Sequence, residues 1–502
     1  MRRGFDSLLK EGEIALCVIC FTVTAGAMAL SGVVSPPALD TSAVTLSPPA
    51  VVRSVNDLDA DLGRVQSRNE PAKIAGKTCA KAGTKRTVAR VTFLCQKRGK
   101  KLVWVRSKAP SPPPTQAPAP QQSSPSMDLS STSSLSGIET CRIRESGADG
   151  PHDLIRTGFP RVPDSLLSRS DVVVQVVPIS FPNLQSQAAP ADVVRPISEG
   201  VTDYFSKVSN GRLKFSWRVP ESRVTMPQPV ESYRLGIQDR NNGYGFIQDV
   251  LNAADSQVDF AGADFVLVLN PETANREQIG ISPAQQMVRS RGFSTAEGPI
   301  FRASYTSFMT TNPGFGWRVI AHEFAHSLGL PDTYAYDDGS RRFTGFFDLM
   351  GGGMGMAGAT ELFAWHKWQL GFLSDDQVLC VTNPNRDRYW LSPVSSGAQR
   401  PEMIVFPTSS TRAVVVESRR PERFDANAVG LPLAGGLLVY EIDTQFGTGK
   451  GPIRLFRKPG SGSPTFFDSL LSQGDEVQVG SLSVKNLESG LWGDVVEVSR
   501  NS

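Results

Sequence analysis

The chain has 502 residues, of which 40% are hydrophobic and 20% charged, and its net charge at pH 7 is +3. That length exceeds what one compact core accommodates, so we expect two or more domains with well-filled cores. The nearly balanced charge excludes nucleic acid as the expected partner.

The first 35 residues are expected to direct export. A basic start is followed by an apolar run from Ile14 to Val34, with small residues at positions 25–29 that suit signal cleavage. The run is also long enough to span a bilayer uncleaved. Residues 1–35 therefore form either a signal peptide or a signal anchor, and the protein is predicted to be secreted or held at the cell surface.

Cysteine usage agrees with export. Cys17 and Cys20 fall inside the apolar run, and the remaining even number favours disulfides: Cys79, Cys95, Cys141 and Cys380. Cys79 and Cys95 flank a hairpin-like stretch and are expected to pair locally, which leaves Cys141 for Cys380. Four cysteines permit three pairings, and the sequence does not exclude the other two.

Residues 72–108 are predicted to form a small basic β module. The segment carries twelve Lys or Arg residues and no Asp or Glu, and it alternates apolar and basic positions as half-exposed strands do. Its charge suits anionic cell-wall polymers or a membrane surface as a partner. A solvated basic face without a partner fits the same pattern.

Composition divides the rest of the chain into linkers and domains. Residues 36–71 are expected to be a spacer, and residues 109–137 are a linker rich in Pro, Ser and Gln. Folded domains are predicted over residues 138–380 and 381–502. The expected fold class is therefore α+β multidomain.

Residues 138–380 have the pattern of a mixed α/β sheet. A β-branched run from Asp171 to Phe181 predicts a buried strand, and Asp264–Asn270 predicts another. Between them, Asp192 is expected to cap a helix with apolar residues at helical spacing. After residue 380, short strand-like runs alternate with turns, which predicts an all-β, sandwich-like domain.

The stretch HEFAHSLGLPD, from His322 to Asp332, carries the chemistry. On a helix, residues four apart share a face, so His322 and His326 can present two imidazoles to one zinc ion. Glu323 is then placed to act as general base toward a metal-bound water. Two histidines satisfied in a core are the alternative for this pattern.

The residues that follow supply a third ligand. Gly329 can end the helix in a left-handed turn and Pro331 prevents its continuation, so that Asp332 returns toward the histidines. The spacing H-E-x-x-H-x-x-G-x-x-D resembles that of metzincins, with Asp332 in place of the usual third histidine. The later FDLMG resembles a Met-turn, in which Met350 would form an apolar floor under the metal.

Together with GLPDTY, FDLMGGG and ELFAWHKWQLGFL, this motif resembles the immune inhibitor A family of secreted zinc peptidases. The resemblance covers roughly residues 170–445, including VTDYFSKVSNGRLKFSW upstream and AGGLLVYEID downstream. It implies a metzincin-like catalytic domain over residues 138–380 and a zinc endopeptidase that is exported and often latent. One departure is His366, where the family pattern leads us to expect an acidic residue.

Alternatives remain at several positions. Glu361 and His366, in a later helix-like stretch, compete with Asp332 as the third ligand, and replacing His366 is expected to leave zinc binding nearly unchanged. Tyr334 and Tyr336 are candidate donors to the oxyanion, with a structural role as the alternative for each. The pair Asp337-Asp338 suits either a calcium site or an ordinary turn.

The sequence therefore predicts a secreted zinc endopeptidase that acts on protein or peptide substrates. The alternative is a surface-attached, wall- or glycan-binding protein with a degenerate peptidase core. Retention of His322, Glu323, His326 and Met350 favours the enzyme.

Overall fold

A computed structural model describes the following residues of the chain: 77–88, 91–99, 101–106, 124–130, 135–149, 154–162, 166, 171–236, 243–280, 286–287, 292–311, 315–353, 359–398, 400–427, 431 and 435–500. The predicted export segment 1–35 and spacer 36–71 lie outside them. Residues 24–121 and residues 122–502 belong to two separate compact units. Within the described ranges, none of the helices combines the length and apolar character needed to cross a membrane.

The smaller unit contains a three-stranded antiparallel sheet in the order β1-β2-β3. Its strands are β1 (Lys85–Val88), β2 (Val91–Arg98) and β3 (Lys101–Arg106). Cys79 is bonded to Cys95 with an S–S distance of 2.00 Å. The predicted basic β module and its local cysteine pair are both present.

In the larger unit, a first sheet has the order β5-β4-β7-β9-β8, with β6 paired to the end of β4. Its members are β4 (Asp171–Ser180), β5 (Lys214–Arg218), β6 (Val224–Thr225), β7 (Phe265–Leu269), β8 (Gln286–Met287) and β9 (Arg302–Tyr305). β5, β4, β7 and β9 run parallel, and β8 is antiparallel to β9. Both strands expected between residues 171 and 270 are found here, within one residue of their predicted ends.

Helices cover both faces of this sheet. The α-helices of the unit are α1 (Pro190–Val208), α2 (Gly243–Ala254), α3 (Arg276–Ile279), α4 (Gly316–Ser327) and α5 (Ala364–Leu370), of which α1, α4 and α2 pack on the sheet. Short helical turns lie at Ile138–Cys141, Val230–Tyr233, Phe308–Thr311, Asp375–Gln377, Asp425–Asn427 and Phe467–Ser469. Apolar residues of α1 and α4 share one core cluster with Phe265 and Leu267 of β7, and those of α2 share another with Val266 and Val268.

Asp192 does not cap α1 as the sequence predicts. The helix begins at Pro190, and Ala189 precedes it without a side-chain hydrogen bond to its first turn. Proline at the first helical position has a backbone angle already suited to the helix and lacks an N–H that would need a cap. Asp192 lies instead in the first turn, where its negative charge opposes the positive end of the helix dipole.

Phe324 sets the rotation of α4. Its ring lies 5.3 Å from that of Phe205 and 5.4 Å from that of Phe265, in the core under the sheet. Each residue advances about 100° around a helix, so His322 and His326, two positions away on either side, face the opposite direction. Burying Phe324 therefore turns both imidazoles away from the sheet.

The C-terminal strands form two further sheets. One has the order β10-β12-β13-β14-β15 and the other β11-β18-β17-β16. The strands are β10 (Val378–Cys380), β11 (Asp387–Leu391), β12 (Met403–Pro407), β13 (Arg412–Arg419), β14 (Gly436–Asp443), β15 (Ile453–Leu455), β16 (Glu476–Val479), β17 (Leu482–Gly490) and β18 (Gly493–Arg500). Side chains from both sheets, including Val416, Val439 and Val496, share one apolar cluster. Two sheets around one core is the arrangement expected of the C-terminal region.

The opposite face of the first of these sheets packs on residues that precede it in the larger unit. Leu438 and Tyr440 of β14 share a core cluster with Trp365 and Trp368 of α5. Cys141 is bonded to Cys380 at the end of β10, with an S–S distance of 2.13 Å. The domain boundary expected at residue 380 thus lies at the end of β10. The sheet that contains β10 is buried between residues that precede this boundary and residues that follow it.

The end of the predicted linker is also packed. The Ser126 hydroxyl donates to Glu488 over 3.0 Å, the Ser130 N–H donates to the Arg388 carbonyl over 2.9 Å, and Leu135 bridges to Val381. Compositional bias alone does not distinguish such a strap from a free linker.

Candidate metal centre

Helix α4 and the turn after it bring three predicted ligands together. His322 Nε2 lies 3.0 Å from Asp332 Oδ1, and His326 Nε2 lies 3.5 Å from Asp332 Oδ2. One ligand atom from each of the three residues lies within 4.8 Å of the others. Among the described residues, this is the one group of His, Cys, Asp and Glu side chains with the spacing to hold a metal ion.

Gly329 makes this convergence possible. Its φ of +101° lies in the left-handed region, and its N–H donates to the His326 carbonyl over 2.8 Å. The chain therefore leaves the helix sharply and returns Asp332 to the imidazoles, as the sequence predicts. A Cβ at position 329 would also lie 2.9 Å from Val162 Cγ2, so any other residue would displace that side chain in addition to straining the backbone.

Backbone carbonyls fix the orientation of both imidazoles. His322 Nδ1 lies 3.1 Å from the Leu349 carbonyl, and His326 Nδ1 lies 2.8 Å from the Leu330 carbonyl. A carbonyl only accepts, so each Nδ1 is the donor and each neutral ring has its lone pair on Nε2. Metal-binding histidines commonly use such a bond to hold the ring and its tautomer.

The inner atoms of the site are buried without hydrogen bonds. His322, His326 and Asp332 are 1%, 2% and 0% exposed. His322 Nε2, His326 Nε2 and Asp332 Oδ1 have no hydrogen-bond partner. Unpaired buried polar atoms are costly, and three of them facing one point are satisfied together by a cation. The residues present therefore fit a metal ion.

The pKa values of the two histidines are shifted in opposite directions. Burial lowers the pKa of both imidazoles, and at His326 this effect prevails. At His322 the adjoining Asp332 carboxylate outweighs burial and raises the pKa to about 9. A cation that binds at these atoms competes with protons for His322 Nε2, so its affinity should fall as the pH is lowered.

Asp332 is held by the loop between β14 and β15 and by Tyr336. Its N–H donates to Thr448 Oγ1 over 2.9 Å, and its carbonyl accepts from the Gly449 N–H over 2.9 Å. The Tyr336 hydroxyl donates to Asp332 Oδ2 over 2.5 Å, and the Tyr336 N–H donates to the Gly449 carbonyl over 3.0 Å. Three of these hydrogen bonds fix the backbone and the carboxylate of Asp332, and the fourth ties Tyr336 to the same loop.

Sequence reasoning missed Thr448, Gly449 and Asp149, which form this support. The Asp149 carboxylate accepts from the Thr448 N–H over 2.7 Å, and burial raises its pKa. At Gly449, with φ of +67°, a Cβ would lie 2.1 Å from the Tyr336 ring. The clustered glycines of FGTGKG, residues 446–451, signal a tight loop, but nothing in the sequence connects that loop to Asp332.

The two candidate oxyanion donors have different surroundings. The hydroxyl of Tyr336 is committed to Asp332. The Tyr334 hydroxyl is buried without a hydrogen-bond partner, and its ring lies 6.3 Å from that of His322. Burial and the Asp332 carboxylate raise the pKa of Tyr334, so its hydroxyl keeps its proton. Tyr334 is therefore the tyrosine with a proton still to donate.

The Met350 segment packs beside the ligands. Its helical turn spans Asp348–Gly352, and Asp348, with φ of +67°, accepts from the Met350 N–H over 2.8 Å. The turn supplies the Leu349 carbonyl to His322, and its Met350 carbonyl accepts from the Thr333 N–H over 2.9 Å. Met350 itself is fully buried, in the core cluster that also contains Phe324 of α4.

The rival ligands lie elsewhere. His366 Nδ1 lies 2.8 Å from Asp348 Oδ2, so this histidine holds the turn of the Met350 segment rather than the metal. Glu361 Oε1 is paired with Lys367 Nζ at 3.1 Å, and both side chains are fully buried. Neither His366 nor Glu361 belongs to the three-residue group.

Asp337 and Asp338, the acidic pair considered as a calcium site, form ion pairs with an arginine of the same chain. Arg342 lies 2.7 Å from Asp337 Oδ2 and 2.6 Å from Asp338 Oδ1. Asp338 also accepts from the Ser340 N–H over 2.8 Å, as a turn aspartate does. These contacts are those of the ordinary turn, the alternative considered for this sequence.

The chain was compared with protein-family models and with curated protein sequences. No protein-family model and no curated protein sequence matches the chain. The chemistry of the site therefore rests on its own atoms: two oriented imidazoles, one braced carboxylate, and Glu323 between the two histidines on the same helix.

Proposed function

We propose that the protein is a secreted zinc endopeptidase of the immune inhibitor A type, in which His322, His326 and Asp332 hold the metal. The observation that carries the proposal is the convergence of three buried ligand atoms that make no hydrogen bonds. Glu323 stands beside the first of them in the sequence, and its charge helps to raise the pKa of His322.

The donor set favours zinc over harder cations. Two imidazole nitrogens and one carboxylate are typical zinc ligands, whereas calcium and magnesium take mainly oxygen. Three protein ligands leave the fourth tetrahedral position open to water or substrate, which is the arrangement of catalytic zinc sites. An ion there would make the water acidic enough, with a pKa of ~7, to supply a nucleophile at neutral pH.

The chain's own residues would carry the proton. The Glu323 carboxylate accepts a proton from the attacking water as its oxygen bonds to the carbonyl carbon of the substrate. The same carboxylate then returns that proton to the departing amide nitrogen, and the peptide bond breaks. The burial of His322, His326 and Asp332 keeps bulk water away, which strengthens each electrostatic contact.

Tyr334 would assist as the carbonyl oxygen becomes negative. Its hydroxyl is buried, protonated and without a partner beside His322. A donor already in place at the point where charge develops stabilises the transition state more than the ground state. Tyr336 has a different task, because its hydroxyl already holds Asp332 in the orientation that the metal requires.

Two disulfides, Cys79–Cys95 and Cys141–Cys380, support an extracellular setting. Disulfides persist in oxidising compartments and are rare in the reducing cytosol. Together with the export signal expected over residues 1–35, they favour protein and peptide substrates outside the cell.

Casein zymography tests the proposal. Purified full-length protein should clear casein near neutral pH, lose this activity with a zinc chelator, and regain it when zinc is restored. Glu323→Gln should bind zinc normally and clear casein at least a hundredfold more slowly, on the usual scale of a lost general base. Zinc-loaded wild-type protein that cleaves neither casein nor gelatin, or a fully active Glu323→Gln variant, would contradict the proposed function.

A further inference from the structure

The sheet of the smaller unit has one covered face and one uncovered face. Phe93 and Cys95 point to the covered side and are each 1% exposed. The chain between Cys79 and Thr84 crosses that side, because Cys79 is bonded to Cys95 and the Gly83 N–H donates to the Cys95 carbonyl over 2.9 Å. The side chains that alternate with Phe93 and Cys95 point the other way.

The uncovered side, called the basic face below, follows from the strand registers. Lys85 pairs with Leu94, Leu94 with Val105, and Arg98 with Lys101. Gln96 pairs with Val103 in the same register, so the face includes Lys85, Leu94, Gln96, Arg98, Lys101, Val103 and Val105. The three cations and Gln96 are exposed, and the three aliphatic side chains are half-buried.

Charge on this face is uncompensated within the module. Arg98 and Lys101 lie directly opposite each other across the hairpin that turns at Gly99, where φ is +60°. Like charges in opposite positions destabilise a sheet. Residues 72–108 contain no Asp or Glu to offset them. Such repulsion between neighbouring cations is expected at a surface where the charges serve binding.

We propose that the basic face docks on the surface of an anionic lipid bilayer. Lys85 lies on the edge strand beside Leu94, and Arg98 and Lys101 lie at the hairpin end. Cations therefore border the aliphatic side chains of Leu94, Val103 and Val105 on two sides, and the polar Gln96 lies beside Val103. Lipid phosphates attract the cations, while the headgroup boundary accepts the apolar centre. A dissolved polyanion would use the charges and leave the aliphatic side chains without a role.

This proposal is independent of the metal site, because it concerns residues 24–121 alone. It is tested with the full-length chain by co-sedimentation with vesicles of phosphatidylcholine containing phosphatidylglycerol, and with vesicles of phosphatidylcholine alone. Wild-type protein should bind the anionic vesicles, bind them more weakly as salt rises, and leave the neutral vesicles unbound.

Two triple variants, each of which removes three positive charges, distinguish binding through the basic face from non-specific electrostatic attraction to the vesicles. Lys85→Gln/Arg98→Gln/Lys101→Gln should reduce the partition coefficient about a hundredfold, since each cation near an anionic surface contributes roughly fivefold. Lys77→Gln/Lys81→Gln/Lys97→Gln removes three exposed cations outside the face and should reduce it far less. Equal losses in the two variants would overturn the assignment to this face.

A third variant tests the bilayer against a polymer. Val103→Thr/Val105→Thr keeps the β-branched shape and every charge, so circular dichroism should show a folded module. It should weaken binding to anionic vesicles and leave any binding to soluble polyphosphate unchanged. If the wild-type chain binds polyphosphate but not the vesicles, or if the threonine variant binds vesicles as well as wild type, the proposal is wrong.

Discussion

The Tyr336 hydroxyl donates a 2.5 Å hydrogen bond to Asp332 Oδ2, four residues earlier in the chain. Burial and the neighbouring carboxylate raise the pKa of Tyr336, so the hydroxyl stays protonated and remains a donor. The bond fixes Oδ2 while Oδ1 lies 3.0 Å from His322 Nε2. The carboxylate that completes the site is thus oriented before any ion arrives.

Tyr336→Phe should therefore weaken zinc binding. The phenylalanine keeps the ring but removes the donor, so that the carboxylate can rotate away from the ligand position. Removing such a supporting bond typically lowers metal affinity about 10- to 100-fold. Competition titration against a fluorescent zinc chelator measures this, and unchanged affinity would show that the hydroxyl does not position Asp332.

Tyr334→Phe should affect catalysis and not zinc binding, in contrast to Tyr336→Phe. Its hydroxyl has no hydrogen-bond partner to lose, so zinc affinity should match that of wild type. If the hydroxyl meets the developing oxyanion, kcat on a peptide substrate should fall by about a hundredfold while KM changes little. A variant with wild-type kcat would remove Tyr334 from the mechanism and leave it a buried structural tyrosine.

The loop at Thr448 gives a test of support from the C-terminal strands. Thr448→Ala leaves the buried N–H of Asp332 without its acceptor, which costs about 1 kcal/mol or more. Zinc affinity should fall about tenfold. Thr202 is the matched control, since it accepts a hydrogen bond from Trp217 Nε1 over 3.0 Å in another part of the unit.

Thr202→Ala should lower the free energy of unfolding without changing zinc affinity. Isothermal titration of both variants with zinc distinguishes local support of the ligand from a general loss of stability. Equal affinities in Thr448→Ala and Thr202→Ala would mean that the loop does not hold Asp332.

The buried carboxyl of Glu402 should make the free energy of unfolding depend on pH. This carboxyl is fully buried, and its Oε2 has no hydrogen-bond partner. Burial is the main cause that raises its pKa from 4.5 to about 8, with Glu361 and Glu417 adding to the effect and Lys367 and Arg423 opposing it. The folded protein therefore binds a proton here that the unfolded chain has already released at neutral pH.

The stability contributed by that proton is complete below pH 4.5 and is lost as the pH rises through the folded pKa of about 8. Glu402→Gln has no such dependence, so its stability relative to wild type should rise over that range by a few kcal/mol. Urea unfolding at several pH values, with chelator present throughout, measures the difference. The exposed Glu221→Gln should follow wild type, and a parallel wild-type and Glu402→Gln profile would contradict the account.

Local patterns allowed most of the candidate ligand set to be predicted. His322 and His326 are four residues apart on one helix, and Gly329 follows at the position where the chain must reverse. These relationships depend on helix geometry and on the freedom of one glycine, both of which act within a few residues. The strand expected over residues 171–181 follows in the same way from local periodicity.

Support of the site from distant residues could not be predicted in this way. Thr448 contacts Asp332 across 116 positions, and His366 contacts Asp348 across 18. The sequence predicts that replacing His366 leaves zinc binding nearly unchanged, and it gives no sign of the contact with Asp348. Because His366 is fully buried against the Asp348 carboxylate, its replacement should cost stability even if zinc binding persists.

Zinc content tests the central claim, that His322, His326 and Asp332 hold one zinc ion. Native mass spectrometry of the wild-type chain should show one zinc per protein, and Asp332→Ala should show none under the same conditions. Asp337→Ala, which removes an exposed carboxylate a few residues further on, should retain the ion. A wild-type chain that binds no zinc, or an Asp332→Ala variant that keeps its zinc, would contradict the account.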